Sequence, residues 1–169
     1  MFKLRFPPSE LPRWAKGYAY VQGDKAVDEL SRRARARGYL TRTEFLELCH
    51  WKTPRSQPRC ATNTAAEIRE ATEIALATVD ERAKMYVLRS LAGVGWPTAS
   101  VILHFCDRRP YPILDYRALW SLGFRRPPSY TFDFWWAYTE FARRLARSAG
   151  LDMRTLDRAL WRFSKERQG

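Results

Sequence analysis

Residues 91–100 read LAGVGWPTAS, and this stretch decides which fold the chain is expected to adopt. Gly93 and Gly95 stand between two apolar segments, and Trp96 and Pro97 follow where a helix should begin. Glycine permits a positive φ and carries no side chain, so backbone N–H groups at such a turn can face a ligand. Proline is tolerated in the first turn of a helix, whose free amides and positive dipole end attract anions. The stretch predicts a helix, a tight hairpin and a second helix, with a phosphate site to which Thr98 adds a hydroxyl.

The rest of the chain also has helical periodicity. Apolar residues in the segment TAAEIREATEIALAT (64–78) recur at helical spacing, and no segment alternates convincingly with period two. Thr41 and Glu44 stand at capping-box spacing, and Asp24, Asn63 and Asp80 are candidate helix caps. The sequence predicts an all-α protein with about eight to ten helices.

The charge balance favours a polyanionic partner. The chain has 30 Lys+Arg against 18 Asp+Glu, a formal net charge of +12 and a pI near 10.1. Such an excess favours phosphate contacts and counterion release, although a merely basic soluble protein or one bound to anionic membrane would share it. No membrane span, secretion signal or basic amphipathic anchor is recognisable, so we expect a cytoplasmic protein that binds nucleic acid.

The cysteines indicate a reducing compartment. Cys49, Cys60 and Cys106 are odd in number and widely spaced, which suits neither a disulfide framework nor a C-x-x-C metal site. A metal cluster of Cys49, His50, Cys60 and His104 is the alternative, but its spacing matches no common ligand pattern.

The segment LAGVGWPTASVIL (91–103) resembles the hairpin of the HhH-GPD DNA glycosylases, which reads L-P-G-V-G-x-K-T-A. In that family a loop rich in Gly and Pro follows and ends in a catalytic aspartate at the start of a helix. Here RRPYPILDYRALWSLG (108–123) supplies Pro110, Pro112 and Asp115, at a spacing like that of the endonuclease III branch. The resemblance, to endonuclease III and 8-oxoguanine glycosylase-like proteins, runs from Tyr86 to Gly123.

This resemblance implies a two-lobed, all-α fold with a helix-hairpin-helix motif. Residues 36–107 would form a helical barrel carrying the hairpin, and residues 1–35 and 108–169 a second lobe that brings Asp115 to the cleft. The implied function is DNA repair by hydrolysis of the N-glycosidic bond of a damaged or mismatched base in double-stranded DNA. We expect a monomer without a cofactor, apart from a monovalent cation that the family often holds on hairpin carbonyls, here those of Leu91 and Val94.

Two departures from the family pattern bear on the chemistry. Pro97 stands where bifunctional members have the lysine of Schiff-base chemistry, and the four-cysteine iron–sulfur signature is absent. The resemblance therefore implies a monofunctional glycosylase without β-lyase activity or a cluster. Lyase activity would require another amine, such as that of Lys84 or Lys52.

Asp115 is the candidate catalytic residue, because an anionic carboxylate can stabilise oxocarbenium character on the sugar and position or activate water. Asp is also a favoured helix N-cap, and both roles can hold at once. The segment HWKTPR (50–55) follows a helix and could be the counterpart of the family's wedge loop, with Trp51 stacking in the DNA or, alternatively, packing in the core. Trp96 would line the base pocket or brace the hairpin. The candidate DNA-binding residues are Gly93, Val94, Gly95, Trp96, Thr98, Lys52, Arg55 and Arg117.

Other aromatic, imidazole and thiol side chains are interpreted as structural. These are Trp135, Trp136, Trp161, His104, Cys106 and Cys49, which lie on helical faces or at helix ends. A non-catalytic DNA-binding module, whose hairpin only grips phosphates, is the competing hypothesis. RNA binding or a protein-interaction role is a third.

Overall fold

The computed structural model describes residues 2–19 and 23–168, which form ten α-helices and no strand. This confirms the all-α prediction. None of these helices combines the length and the apolar character that a membrane crossing demands. The helices are α1 (Leu11–Lys16), α2 (Asp24–Arg37), α3 (Arg42–Lys52), α4 (Gln57–Cys60), α5 (Ala65–Ala77), α6 (Glu81–Arg89), α7 (Trp96–Cys106), α8 (Tyr116–Ser121), α9 (Phe132–Ala149) and α10 (Met153–Gln168). Two 3-10 turns span Pro8–Glu10 and Pro54–Ser56.

The chain divides into two compact units. The hairpin unit comprises residues 21–109, and the terminal unit comprises residues 1–20 together with 110–169. The sequence placed the boundary near residue 36, whereas α2 packs with α3 and α7 and so belongs to the hairpin unit.

Local side-chain caps start three helices of the hairpin unit, α3, α5 and α6. Thr41 and Glu44 form the predicted capping box of α3, and the Asp80 side chain accepts from the Ala83 N–H at the start of α6. Two cap predictions are wrong. Gly23 is the N-cap of α2, so Asp24 is its first residue, and α5 is capped by a Thr64–Glu67 capping box rather than by Asn63.

Helix α7 lies at the centre of the hairpin unit and contacts α2, α3 and α6. Its side chains are buried over most of its length, including Val101, Ile102 and Leu103. A helix that is apolar on all sides has no polar face to turn to solvent, so neighbouring helices must cover it. The hairpin therefore opens a helix that is fixed by the core.

The terminal unit is built around α10, which packs against α1, α8 and α9. Phe163 of α10 contacts Phe6 and Trp14, with ring centroids 4.3 Å and 5.1 Å apart respectively. The N-terminal segment runs along the end of α8, where the Lys3 N–H donates to Leu122 O at 3.0 Å. The chain start thus supports the helix that follows Asp115.

Candidate functional site

The hairpin joins α6 to α7 in a turn that only glycine permits at one position. The Val94 N–H donates to the Leu91 carbonyl at 3.2 Å and so closes the turn. Gly93 has a φ of +79°. A Cβ on Gly93 would lie 2.7 Å from the Cys60 Sγ and 2.8 Å from the Cys60 backbone nitrogen. Both the backbone conformation and the packing against the end of α4 therefore require glycine.

Gly95 differs from Gly93. Its φ of −93° and ψ of −174° are extended, so Gly95 does not use the positive φ that glycine permits. A Cβ on Gly95 would meet its nearest atom, Pro97 Cδ, at an ordinary 3.7 Å. Gly95 is exposed at the N-cap of α7, where the fold itself leaves room for a side chain.

Asn63 holds the hairpin to the rest of the hairpin unit. Its side-chain Nδ2 donates to the carbonyls of Cys60 at 2.8 Å and Ala92 at 2.9 Å, and its Oδ1 accepts from the Ala92 N–H at 2.8 Å. The side chain is buried. This amide therefore fixes the turn, a role different from the helix cap that the sequence predicts.

The N-terminus of α7 presents free backbone donors. The N–H groups of Gly95, Trp96 and Thr98 have no acceptor within residues 2–19 and 23–168, and Pro97 has no N–H. No side chain caps this end of the helix. The geometry suits an anion, because unpaired amides and the positive end of the dipole point the same way.

Two arginines line a depression of about 400 Å³ over the hairpin. Arg59 belongs to α4, and Arg89 is the last residue of α6. The Arg89 guanidinium lies 4.2 Å from the centroid of the Trp96 ring, so Trp96 braces a cation beside the hairpin. The depression combines backbone amides with two guanidinium groups, the donor set that phosphate oxygens accept.

The carbonyls of Leu91 and Val94, which the resemblance assigns to a monovalent cation, belong to this turn. The Leu91 carbonyl accepts from the Val94 N–H at 3.2 Å, which leaves its second lone pair. Two guanidinium groups also occupy the same depression and would repel a cation.

The candidate wedge residues Trp51, Lys52 and Arg55 lie at the end of α3 and just beyond it. Trp51 and Lys52 belong to the last turn of α3 rather than to a loop, and Arg55 is exposed in the following 3-10 turn. The Trp51 indole donates to the Asp24 carboxylate at 2.8 Å and packs edge-on against Phe105. Trp51 is thus held in the hairpin unit, and it lines a depression of about 460 Å³ with His50 and Gln57 that does not include hairpin residues.

Lys84 is fully buried in the hairpin unit. Its ammonium group contacts the Asp107 carboxylate at 2.5 Å and the Ala75 carbonyl at 2.6 Å. Burial lowers the pKa of the Lys84 amine despite the opposing Asp107 charge. An amine in this position does not reach a substrate, which leaves Lys52 as the other amine considered for Schiff-base chemistry.

Asp115, in the terminal unit, is the N-cap of α8. Its Oδ1 accepts from the Arg117 N–H at 2.9 Å, and the residue is half-buried. Burial raises the pKa of the Tyr130 hydroxyl, and the nearby charge of Asp115 raises it further. The carboxylate thus caps its helix and acts electrostatically on a neighbouring phenol.

The segment that leads to Asp115 is fixed by side chains of α9. The Tyr138 hydroxyl donates to the Ile113 carbonyl at 2.9 Å, and Arg143 Nε donates to the Pro110 carbonyl at 2.8 Å. Trp135 stacks on Tyr111, with ring planes 10° apart. Because α9 holds three points of this segment, the position of Asp115 within the terminal unit is set by packing as well as by its own cap.

Arg117 lies two residues after Asp115 and is surrounded by aromatic rings. Its guanidinium lies 5.7 Å from the ring centroid of Trp161 on α10 and 5.2 Å from that of Tyr116. Trp135 is fully buried, which supports its structural interpretation, whereas Trp136 and Trp161 are half-buried. Arg117 is therefore held by stacking rather than extended into solvent.

Sequence reasoning missed Asn63, Arg59 and Arg89 as parts of the hairpin site. Arg89 stands next to the hairpin in the sequence, so its position gave a usable signal. Asn63 and Arg59 reach the hairpin only through the packing of α4 against Gly93, which local sequence does not encode.

The cysteines are all buried. Burial raises the pKa of the Cys106 thiol to about 12, and burial together with Cys60 raises the pKa of Cys49. Within the described part of the chain, no group of three or more His, Cys, Asp or Glu side chains could hold a metal ion. The chain matches no protein-family model, no curated protein and no solved structure.

Proposed function

We propose that the chain is a DNA glycosylase that removes a damaged or mismatched base by hydrolysis. The observation that carries the proposal is the hairpin: Gly93 fits only as glycine, while the amides of Gly95, Trp96 and Thr98 have no acceptor among residues 2–19 and 23–168. The strict glycine therefore closes a turn beside amide donors that have no acceptor in the part of the chain that the structure describes. Together with the net charge of +12, this arrangement supports binding of DNA phosphate.

Arg59 and Arg89 strengthen the proposed phosphate grip. Guanidinium groups bind phosphate through two parallel hydrogen bonds, and both arginines line the depression that contains the hairpin backbone. These contacts would position the duplex without reading its sequence. A glycosylase needs such sequence-independent binding, because a lesion can occur in any sequence.

Asp115 would carry the chemistry. Water attacks the sugar C1′ while the bond from C1′ to the base nitrogen breaks; the base leaves with the bonding electrons and a proton, and the sugar retains the hydroxyl. The Asp115 carboxylate would stabilise the positive charge on the sugar and orient the water. The target base must leave the helical stack before this step.

The proposal is tested by an excision screen on duplexes that each carry one oxidised, alkylated, deaminated or mismatched base. We expect base release and an abasic product from at least one duplex class. Release of no base from any of these duplexes would contradict the proposal.

A second candidate is a non-catalytic module that binds DNA through the hairpin alone. The observation that favours it is the hydrogen bond from the Arg117 N–H to Asp115, because a helix cap already gives this aspartate a structural role. This candidate predicts DNA binding that is independent of the Asp115 charge, and no excision.

We also predict that borohydride traps no covalent adduct between the protein and the damaged strand. Pro97 offers no amine, and the Lys84 amine is buried against Asp107. The measurement is a denaturing gel of the borohydride-treated reaction, run beside a bifunctional glycosylase as a positive control. Efficient trapping that is lost in Lys52→Gln would show instead that Lys52 supplies the amine.

A further inference from the structure

One face of α10 carries cations at helical spacing. Arg154, Arg158, Arg162 and Lys165 follow one another at intervals of three or four residues, with Trp161 among them. Residues at this spacing are neighbours on a helix surface. All of them are half-buried or exposed. The terminal unit therefore has a basic stripe of its own.

Aromatic rings order these cations. Tyr18 and Trp161 pack edge to face with centroids 5.5 Å apart. The Arg158 guanidinium lies 5.5 Å from the Tyr18 centroid, while Lys165 and Arg117 lie 4.9 Å and 5.7 Å from that of Trp161. Cations held against rings lose little further freedom when they bind an anion. We call this the arginine–aromatic surface, defined by Tyr18, Arg117, Arg158, Trp161, Arg162 and Lys165.

Two guanidinium nitrogens of the arginine–aromatic surface, Arg117 Nη1 and Arg162 Nε, are buried without a hydrogen-bond partner among the described residues. Two carboxylates pair with arginines of α10: Asp157 with Arg154 at 3.1 Å, and Glu166 with Arg162. A buried donor without an acceptor is costly, so several cations with unsatisfied nitrogens favour an anionic ligand.

We propose that the arginine–aromatic surface binds the phosphodiester backbone of DNA, as a contact separate from the hairpin. Phosphate oxygens are the acceptors that stacked guanidinium groups suit best, and a series of cations along a helix matches a chain of phosphates better than a single small anion. The half-buried rings lie among the cations and form no apolar patch for a lipid surface. The inference rests on the proposed function only in taking DNA as the partner.

The test measures binding of a short undamaged duplex by fluorescence anisotropy over a series of salt concentrations. Arg158→Gln with Arg162→Gln should reduce the magnitude of the negative slope of log affinity against log salt by about 2, one for each lost phosphate contact. The matched control is Arg144→Gln with Arg147→Gln, which removes the same charge from exposed positions on α9. The control should leave the slope unchanged.

Equal slopes for wild type and both double variants would overturn the inference, as would equal losses in the two variants, which report net charge alone. Stronger binding to phosphatidylserine vesicles than to the duplex, lost in the α10 variant only, would assign the surface to membrane instead. If the α10 variant loses its helical circular-dichroism signal, wild-type protein is treated with phenylglyoxal with and without duplex. DNA should then protect Arg158 and Arg162 but not Arg144, and equal modification under both conditions would contradict the inference. The duplex carries no lesion, so failure of this test and failure of the excision screen are independent results.

Discussion

At Gly93 the main chain turns with a φ of +79° while the backbone of Cys60 lies where a Cβ would stand. Gly95, two residues later, is extended, exposed and free of such contacts. The two glycines therefore differ in their physical roles, although both belong to one G-x-G. Gly93 closes the turn, and Gly95 keeps the approach to the amides of α7 open.

We predict that Gly93→Ala lowers the free energy of unfolding by about 2–4 kcal/mol, since it adds left-handed strain to a clash with backbone. Gly95→Ala is the matched variant, and it should change stability by less than about 1 kcal/mol while weakening DNA binding. Urea denaturation and duplex anisotropy measure the two effects. Equal destabilisation by both substitutions would show that the hairpin geometry described here is wrong.

For single residues, the distance in sequence between bonded groups decided which roles could be predicted. The Thr41–Glu44 capping box and the Asp80 cap were predictable, because each joins groups three residues apart. The role of Asn63 was not, since its partner Ala92 is distant in sequence and is reached only after α4 and the hairpin pack together. Side chains whose bonds are local can be interpreted from sequence, whereas side chains that join elements cannot.

At the scale of elements, α3 shows how a cap also responds to pH. Burial alone would raise the pKa of Glu44, but hydrogen bonds from Thr41 and the Arg37 guanidinium outweigh it and hold the pKa below the ordinary 4.5. A carboxyl with a depressed pKa in the folded state stabilises the protein above its unfolded pKa. That stabilisation is lost as pH falls through the folded value.

We predict that Glu44→Gln lowers stability by about 1–2 kcal/mol at neutral pH, where it removes charge-assisted bonds. The difference from wild type should shrink as pH falls below 4.5, because protonation then removes the same charge from Glu44. Urea denaturation across a pH series measures this. Glu29→Gln, which alters an exposed ion pair with Arg33, is the control and should have little effect at any pH. A pH-independent difference for Glu44→Gln would contradict the assigned ion pair.

The helices themselves were easier to predict than their ends and the contacts of their side chains. The helix that opens at the hairpin was expected, and it begins at Trp96 with Pro97 in its first turn. The resemblance predicted a wedge loop at residues 50–55, whereas α3 continues to Lys52. Tertiary contacts of Trp51 with Asp24 and Phe105 accompany this extra turn, and they are absent from any local pattern.

At the scale of the whole molecule, two compact units each carry part of the proposed function. The hairpin unit offers free amides with Arg59 and Arg89, and the terminal unit offers Asp115 on a segment held by α9. The excess of cations supports DNA as the partner of both. We propose that Asp115 does chemistry in addition to capping α8.

The most direct test of that claim is single-turnover base excision by Asp115→Asn on the lesion duplex that the wild type cleaves best. Asn is as good an N-cap as Asp, so α8 should remain intact while the carboxylate charge is lost. We predict a fall in the excision rate of at least about 10²-fold with nearly unchanged duplex affinity. Asp152→Asn, which alters the cap of α10 in the same way, should excise at the wild-type rate. Wild-type excision by Asp115→Asn would contradict the account.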